Sequence, residues 1–340
     1  MIKFMVIGGH GFLGKSVTKH LITCCTRVGE IRLFDIKERN IWWNDSRINF
    51  IKGSIEDRSA LIDAMRDIDV VFHCAQAKTD KSVLKIEAVN YSGTLNVINA
   101  CLLCNVKCLI YAGSFCFNKY GDYFYRGDEY SDYYRIFDDT YAKTKHMAEV
   151  NVIKADRSKT VLGKILRTCS IQSFGVYGEE DSRFEKIFTK AFESGTVLGL
   201  CYNKIIQQSR TYVGNLAWMH ISAYKILYNT NKADRAGGQI YFAYDYSPCV
   251  CPDDFDLLFL SEFNISLKIM SKRFLKATAR INDLMTKMGK KQYFGSNELK
   301  KYNTYCVFET SKAKEELEYN PLYTWTDSKY SVITWLLTLI

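Results

Sequence analysis

The sequence predicts an α/β fold, a doubly wound parallel sheet covered by helices on both faces. Three observations carry that expectation. Through the first half of the 340 residues, short β-branched runs alternate with segments of helical periodicity, the rhythm that winds strands in parallel. The first strand runs straight into glycines at GxxGxxG spacing, and the second strand ends in an aspartate about twenty residues later. With 47% hydrophobic and 24% charged residues, the chain can bury a large core as one large or two intimate domains.

Taken in order, KFMVIG (3–8) reads as a strand ending at Gly8, and GFLGKSVTKHLITCC (11–25) as the helix behind it. EIRLFDI (30–36), DVVFHCA (69–75) and KCLIYAGS (107–114) read as further strands. SALIDAMRD (59–67) and AVNYSGTLNVINACLL (88–103) are the helices between them. DTYAKTKHMAE (139–149) is a polar helix that sets Tyr141 and Lys145 four residues apart, hence on one face. After about residue 175 the rhythm becomes less regular, and lysines and arginines cluster between Lys268 and Lys301. With three prolines in all and no Pro/Gly/Ser-rich linker, no hinge is expected. The reading is a Rossmann-type nucleotide-binding domain over 1–175 carrying the Ser/Tyr/Lys set, and a smaller substrate-binding region over 176–340 packed on it.

Composition excludes several other classes. MIKFMVIGGHG lacks the charged leader and cleavage site of a signal peptide. No stretch reaches the roughly 20 apolar residues of a membrane span. The 12 cysteines are scattered along strand-like and helix-like segments and read as reduced thiols. Cys101 and Cys104 form a CxxC without a second pair at zinc-ribbon spacing, so no metal site is expected. The net charge of +9 is mostly interspersed with acids, which argues against nucleic acid as a partner.

The glycines and the strand tips carry the chemistry. In VIGGHGFLG, Gly8 permits a tight turn, Gly11 lets backbone approach a pyrophosphate at a helix N-terminus, and Gly14 allows helix to pack closely on strand. Alone, such a triplet is only a strand-to-helix turn. Asp35 at the tip of the second strand adds an acceptor for an adenosine ribose and a charge that repels a 2′-phosphate. Together they favour NAD over NADP, although Lys37 and Arg39 stand nearby with the opposite sign. Ser114 ends a strand at the same sheet edge. A free tyrosine, with a pKa near 10, is a poor base at neutral pH. An ammonium at ~4 Å, with an effective dielectric near 20, favours the phenolate by roughly 4 kcal/mol, or about 3 pKa units. Ser114, Tyr141 and Lys145 therefore suit moving a proton off an alcohol while NAD takes hydride from its carbon.

GGHGFLG, Asp35, VNYSGT, Ser114 and YAKTK resemble the extended short-chain dehydrogenase/reductase pattern. TYVGNLAWMH, IYFAYDYSP and YNPLYTW are similar to the 3β-hydroxysteroid dehydrogenase/Δ5-Δ4 isomerase family, and most so to its poxvirus members. The similarity runs from Val6 to about Trp325. It implies NAD-dependent oxidation of a 3β-hydroxy-Δ5-steroid, a small-molecule substrate of steroid hormone biosynthesis, followed by a double-bond shift. Carried over by position, Tyr141 is the general base, Lys145 its activator and nicotinamide-ribose anchor, and Ser114 the substrate-oxygen donor. Asn90 corresponds to a position that organises a helix near the proton path. The cofactor-binding set is then Gly8, Gly11, Phe12, Leu13, Gly14, Asp35, Ile55, Ala75, Asn90, Tyr141 and Lys145.

Departures from the family pattern are also visible. YAGS stands where the family usually has YTSS, Gln172 and Ser173 replace an Arg-Pro pair, and AQAKTDKSVLKIEAVN is shortened, leaving no isomerase acid or base that can be named. A nucleotide-sugar epimerase or reductase would share the fold and the Ser/Tyr/Lys set. A dehydratase would want acids beside the serine, where Phe115 and Cys116 stand. A non-catalytic NAD-binding regulator is the remaining alternative. In SKRFLKATARINDLMTKMGKK (271–291), Phe274, Ile281, Leu284, Met285 and Met288 recur at helical spacing. That stripe is expected to dock on the protein, while Lys272, Arg273, Lys276, Arg280, Lys287, Lys290 and Lys291 face solvent. Membrane contact is then peripheral at most, the location cytoplasmic (the host's cytoplasm for a viral protein), and a homodimer is compatible with the sequence.

Overall fold

The strand β1 (Ile2–Ile7) is apolar at nearly every position because it lies inside a seven-stranded parallel sheet and is covered on both faces. The computed structural model describes residues 1–38, 44–77, 81–115, 124–130, 137, 139–203, 205–288, 294–308 and 311–340, without the side chains of Phe124, Tyr125 and Lys287. Arg39, residues 78–80 of the shortened segment, Cys116, Lys290 and Lys291 lie outside the described residues. The other strands of the sheet are β2 (Val28–Asp35), β3 (Ile48–Lys52), β4 (Val70–His73), β5 (Cys108–Ser114), β6 (Arg167–Ser173) and β7 (Gln239–Phe242). Their spatial order is β7-β6-β5-β4-β1-β2-β3, with every adjacent pair parallel. Because β1 has β2 on one side and β4 on the other, the order reverses at its carboxyl end, the position where open α/β sheets hold ligands. The α/β, Rossmann-type architecture is as the sequence predicts.

Helices cover both faces. On one lie α1 (Phe12–Cys24) and α6 (Val213–Tyr228), which bury Val17, Leu21, Leu216 and Met219 against Phe4, Val6 and Phe72. On the other lie α2 (Arg58–Met65), α3 (Gly93–Leu103) and α4 (Thr140–Lys154), which bury Leu61, Met65, Val97 and Val152 against Met5, Ile7 and Leu109. Alternate residues of β1 thus feed two separate cores, as the twofold alternation of a strand requires. Helix α4 begins where it does because Asp139 accepts from Ala142 N at 2.7 Å, capping the first turn. Cys101 in α3 is fully buried and its thiol is pushed up by desolvation, so the CxxC pair is packing material.

The expected boundary at residue 175 falls just after β6. Residues beyond it supply an edge strand, β7, and a covering helix, α6, to the same sheet. The remainder builds an aromatic core of its own from α5 (Ser182–Ser194), α7 (Pro252–Leu260) and α9 (Trp325–Leu337), with Tyr177, Phe188, Phe255, Phe259 and Leu336 at its centre. A short strand, Tyr305–Phe308, returns to pair in parallel with Phe124–Gly127.

One expectation fails. Helix α8 (Lys272–Lys287) docks through Leu275 and Ala279, which pack with Leu200, Phe294 and Leu299. Most of the stripe predicted to dock faces outward: Phe274, Ile281, Leu284 and Met288 are 49%, 57%, 62% and 75% exposed, while Met285 is half-buried. The helix carries two apolar faces, and the small Ala279 lets the narrower one approach its neighbours.

Candidate active site

The turn after β1 builds one wall of the site. Gly8 has φ +78°, the left-handed region that favours glycine, and a Cβ there would lie 2.7 Å from Ala75 N. Its carbonyl accepts from Gly11 N at 2.9 Å. A Cβ on Gly14 would strike the Gly8 carbonyl, so glycine is required for α1 to start this close to the strand. Gly11 caps α1 without a side chain, leaving the helix N-terminus open to an anion. Phe12 and Leu13 form the first helical turn and pack their side chains into the aromatic core, so toward a ligand they offer backbone. Asp35 closes this wall: its Oδ2 accepts from His10 N at 3.1 Å, and its Oδ1 from Lys37 N at 3.3 Å. The carboxylate therefore stands at the mouth of the glycine turn.

Beneath lie Ile55 and Ala75. Ile55 is buried against Gly93, where a Cβ would come within 2.6 Å of it, and its carbonyl accepts from Asn96 Nδ2 at 2.9 Å. The helical run is locally widened to a π-turn over Ala88–Ser92, which turns Asn90 inward. Asn90 is 2% exposed. Its Oδ1 accepts from Ala77 N at 2.8 Å and its Nδ2 donates to Thr144 Oγ1 at 3.2 Å, tying the loop after β4 to α4.

Opposite stand the three residues expected to carry the chemistry. Ser114 is the last residue of β5, in register with Ser173 of β6, and no hydrogen bond joins its hydroxyl to another described residue. Tyr141 lies in the first turn of α4 and donates from its phenol to Gln76 Oε1 at 2.6 Å. Lys145, one turn on, is 3% exposed; its ammonium donates to Ala112 O at 2.7 Å and sits 4.2 Å from the Tyr111 ring centroid. Phenol and ammonium, read from spacing as neighbours, each place a hydrogen bond elsewhere.

The surroundings limit what else can ionise. Burial pushes His73 down to about 3, with the Lys145 charge adding to the effect, while its Nε2 meets Thr94 Oγ1 at 2.9 Å. Burial pushes the neighbouring Cys74 thiol up to about 12, Lys145 opposing. Neither can serve as a base near neutrality. One turn below Lys145, Glu149 is buried and accepts from Ser170 Oγ at 2.5 Å and from Gln172 Nε2 at 2.6 Å. Gln172, which stands where the family has arginine, is thus an internal partner of the helix that carries Tyr141 and Lys145. Sequence reasoning missed Gln76 and Glu149. The repeat 141–145–149 could have found Glu149, whereas Gln76 has no spacing signal.

The late motifs interlock around one amide. Asn215 of TYVGN donates to Asp245 Oδ2 at 3.0 Å and to Tyr323 O at 2.9 Å, and Tyr319 donates to Tyr244 O at 3.0 Å.

Three comparisons bear on this arrangement. The profile of the 3-beta hydroxysteroid dehydrogenase/isomerase family matches residues 5–274. The chain is 31% identical to human 3 beta-hydroxysteroid dehydrogenase type 7, covering 98% of this chain and 95% of that one. It is 34% identical to the 3 beta-hydroxysteroid dehydrogenase/Delta 5-->4-isomerase of Vaccinia virus (strain Western Reserve), covering 95% of each. Among solved structures it is similar in fold to DesIV, a dTDP-glucose 4,6-dehydratase of Streptomyces venezuelae with NAD and TYD bound, with a TM-score of 0.73 at 15% identity over 99% of this chain and 97% of that one.

Proposed function

The chain belongs to the 3-beta hydroxysteroid dehydrogenase/isomerase family, and from that premise we propose that it oxidises a 3β-hydroxy-Δ5-steroid to the 3-ketone with NAD, then moves the double bond to Δ4, as a step of steroid hormone synthesis. At the coarser level, family and fold make it a steroid dehydrogenase or a related NAD-dependent epimerase or dehydratase. What supports the finer reading is that Ser114 ends β5, that Lys145 of α4 donates to Ala112 O on that same strand, and that Tyr141 lies one turn before Lys145.

In this reading the dinucleotide is held by Gly8, Gly11, Phe12, Leu13 and Gly14, with Asp35 on the adenosine ribose. The fit is supported by the cradle that a Cβ on Gly8 would fill, by the open N-terminus of α1 and by the carboxylate at its mouth. Ile55 and Ala75 shape the floor, and Asn90 holds the loop around it. NAD, when bound, supplies the acceptor for the hydride leaving the carbinol carbon. Ser114 donates its free hydroxyl to the substrate oxygen. Tyr141 takes the alcohol proton, and the Lys145 charge, desolvated by burial, favours the phenolate that does so. Lys145 also anchors the nicotinamide ribose. Oxidation is expected to outpace isomerisation, since the shortened segment after Ala75 offers no side chain for the second step that can be named from the family.

Residues 1–175 serve the dinucleotide and 176–340 the steroid, on a shared core. A cytoplasmic location and, at most, reversible contact with membranes complete the proposal, with no nucleic acid involved; a homodimer is compatible with it.

Incubating the protein with NAD and either pregnenolone or a UDP-sugar tests the reading. NADH formed with the steroid alone, followed by conjugated-enone absorbance, is expected. Tyr141→Phe should cut oxidation by about 10²–10⁴-fold while leaving NAD affinity within a few fold. NADH formed with the sugar alone, or a Tyr141→Phe enzyme keeping more than about a tenth of the rate, would refute it.

A further inference from the structure

The loop after β4 sets one side chain against the candidate base. Tyr141 Oη donates to Gln76 Oε1 at 2.6 Å. The backbone around Gln76 is fixed on both sides. Cys74 N donates to Ile7 O at 2.9 Å, Ala75 lies hard against Gly8, and Ala77 N donates to Asn90 Oδ1 at 2.8 Å. The same Asn90 donates to Thr144 Oγ1, whose proton is shared between Thr140 O at 2.8 Å and Tyr141 O at 3.0 Å in the first turn of α4. Both ends of the Tyr141–Gln76 bond therefore hang from one buried amide. The core sets their separation, so the contact is more than a chance meeting of two surface side chains.

A carbonyl oxygen can only accept. It stabilises the phenol, which has a proton to give, and turns its lone pairs against the phenolate, which has none. We propose that Gln76 is a positioning residue that holds Tyr141 as the neutral phenol and so sets the pH at which the site can take a proton from an alcohol; this rests on the reading of Tyr141 as the base. A second state is built in: turning the amide end over presents Nε2–H, a donor suited to the phenolate.

The other groups around α4 define what Gln76 works against. On the helix itself, Lys145 and the positive N-terminal end favour the phenolate, whereas the capping carboxylate of Asp139 opposes it. At the end of β4 and just after it, His73 and Cys74 are held neutral by burial. Tyr111 on β5 takes the Lys145 charge on its ring. Toward β6, Glu149 is bonded to Ser170 and Gln172. On the short helix Val83–Glu87 that packs on α4, Lys85 is paired with Glu56 at 2.5 Å and Glu87 is exposed. Among the described residues, Gln76 accepts the hydrogen bond that the phenol donates.

The test measures protons released when NAD binds in the absence of steroid, by calorimetry in buffers of different ionisation heat across a pH series. Tyr141→Phe should abolish the release. Gln76→Leu, which removes the acceptor of the neutral form, should move its midpoint down by about one pH unit, the equivalent of one ordinary hydrogen bond. Gln76→Glu, a stronger acceptor with a like charge, should move it up. The acidic limb of the pH profile for alcohol oxidation should shift in the same two directions, whereas merely structural damage lowers the rate and leaves both midpoints in place. Because Gln76 is exposed, both substitutions leave the core intact. Release that depends on Tyr141 but has the same midpoint in both Gln76 variants overturns the inference and spares the reading of the base. Release unaffected by Tyr141→Phe overturns both.

Discussion

At Asp35 a single carboxylate is expected to choose between two dinucleotides. It stands at the glycine turn, fixed by His10 N and Lys37 N, where a 2′-phosphate would meet its charge. Asp35→Ala should weaken NAD binding and improve NADP binding; dissociation constants that keep the wild-type ratio would show that the side chain does not face the ribose. Asp35, Gly8, Tyr141 and Lys145 could all be picked out from sequence because each sits at a fixed spacing within one element or one strand-turn-helix unit. Gln76 could not. Its meaning comes from a helix 65 residues away, and a polar contact between two segments leaves no period in either. Gln172 stands out in the sequence as a departure from the family, yet its role as a donor to Glu149 depends on strand register, which sequence does not give.

Among the elements, β1, β2, β4 and β5 and the helices α1 to α3 followed from hydrophobic rhythm, as did the helical course of α8, whereas the face by which α8 docks did not. A helix with two apolar stripes has a period that says a face exists without saying which one is covered, and the decision fell to the close approach permitted by Ala279. The buried histidines give β4 and α6 a shared sensitivity to acid. His73 is pushed down to about 3 and His220 to about 4, both chiefly by burial. Below an unfolded value near 6.5, the unfolded chain binds protons that the folded chain refuses, so stability rises with pH and is lost as pH falls from 6.5 toward 4. Each histidine should cost about 2 kcal/mol between pH 7 and pH 5. Urea unfolding at the two pH values measures it. His220→Leu should lose about 2 kcal/mol less than wild type over that interval, and an identical loss in both would contradict the assignment.

For the whole molecule, no helix among the described residues is long and apolar enough to cross a membrane. The outward stripe of α8 instead supports reversible contact with an anionic surface, bordered as it is by Arg273, Lys276 and Arg280. Flotation with phosphatidylserine vesicles should show binding at low salt that is released at high salt; association needing detergent to reverse would rule this out. The pairing of Phe124–Gly127 with Tyr305–Phe308 has a consequence for synthesis. It brings Phe308 onto Phe115, next to Ser114, together with Phe242. At ~5–20 residues per second, roughly 10–40 s separate the emergence of Gly127 from that of Phe308 on a translating ribosome. For that interval the aromatic floor beside the serine lacks its last partner and the strand its only described mate. The nascent chain must spend it with an open edge and a greasy patch, the condition in which holding chaperones engage a polypeptide.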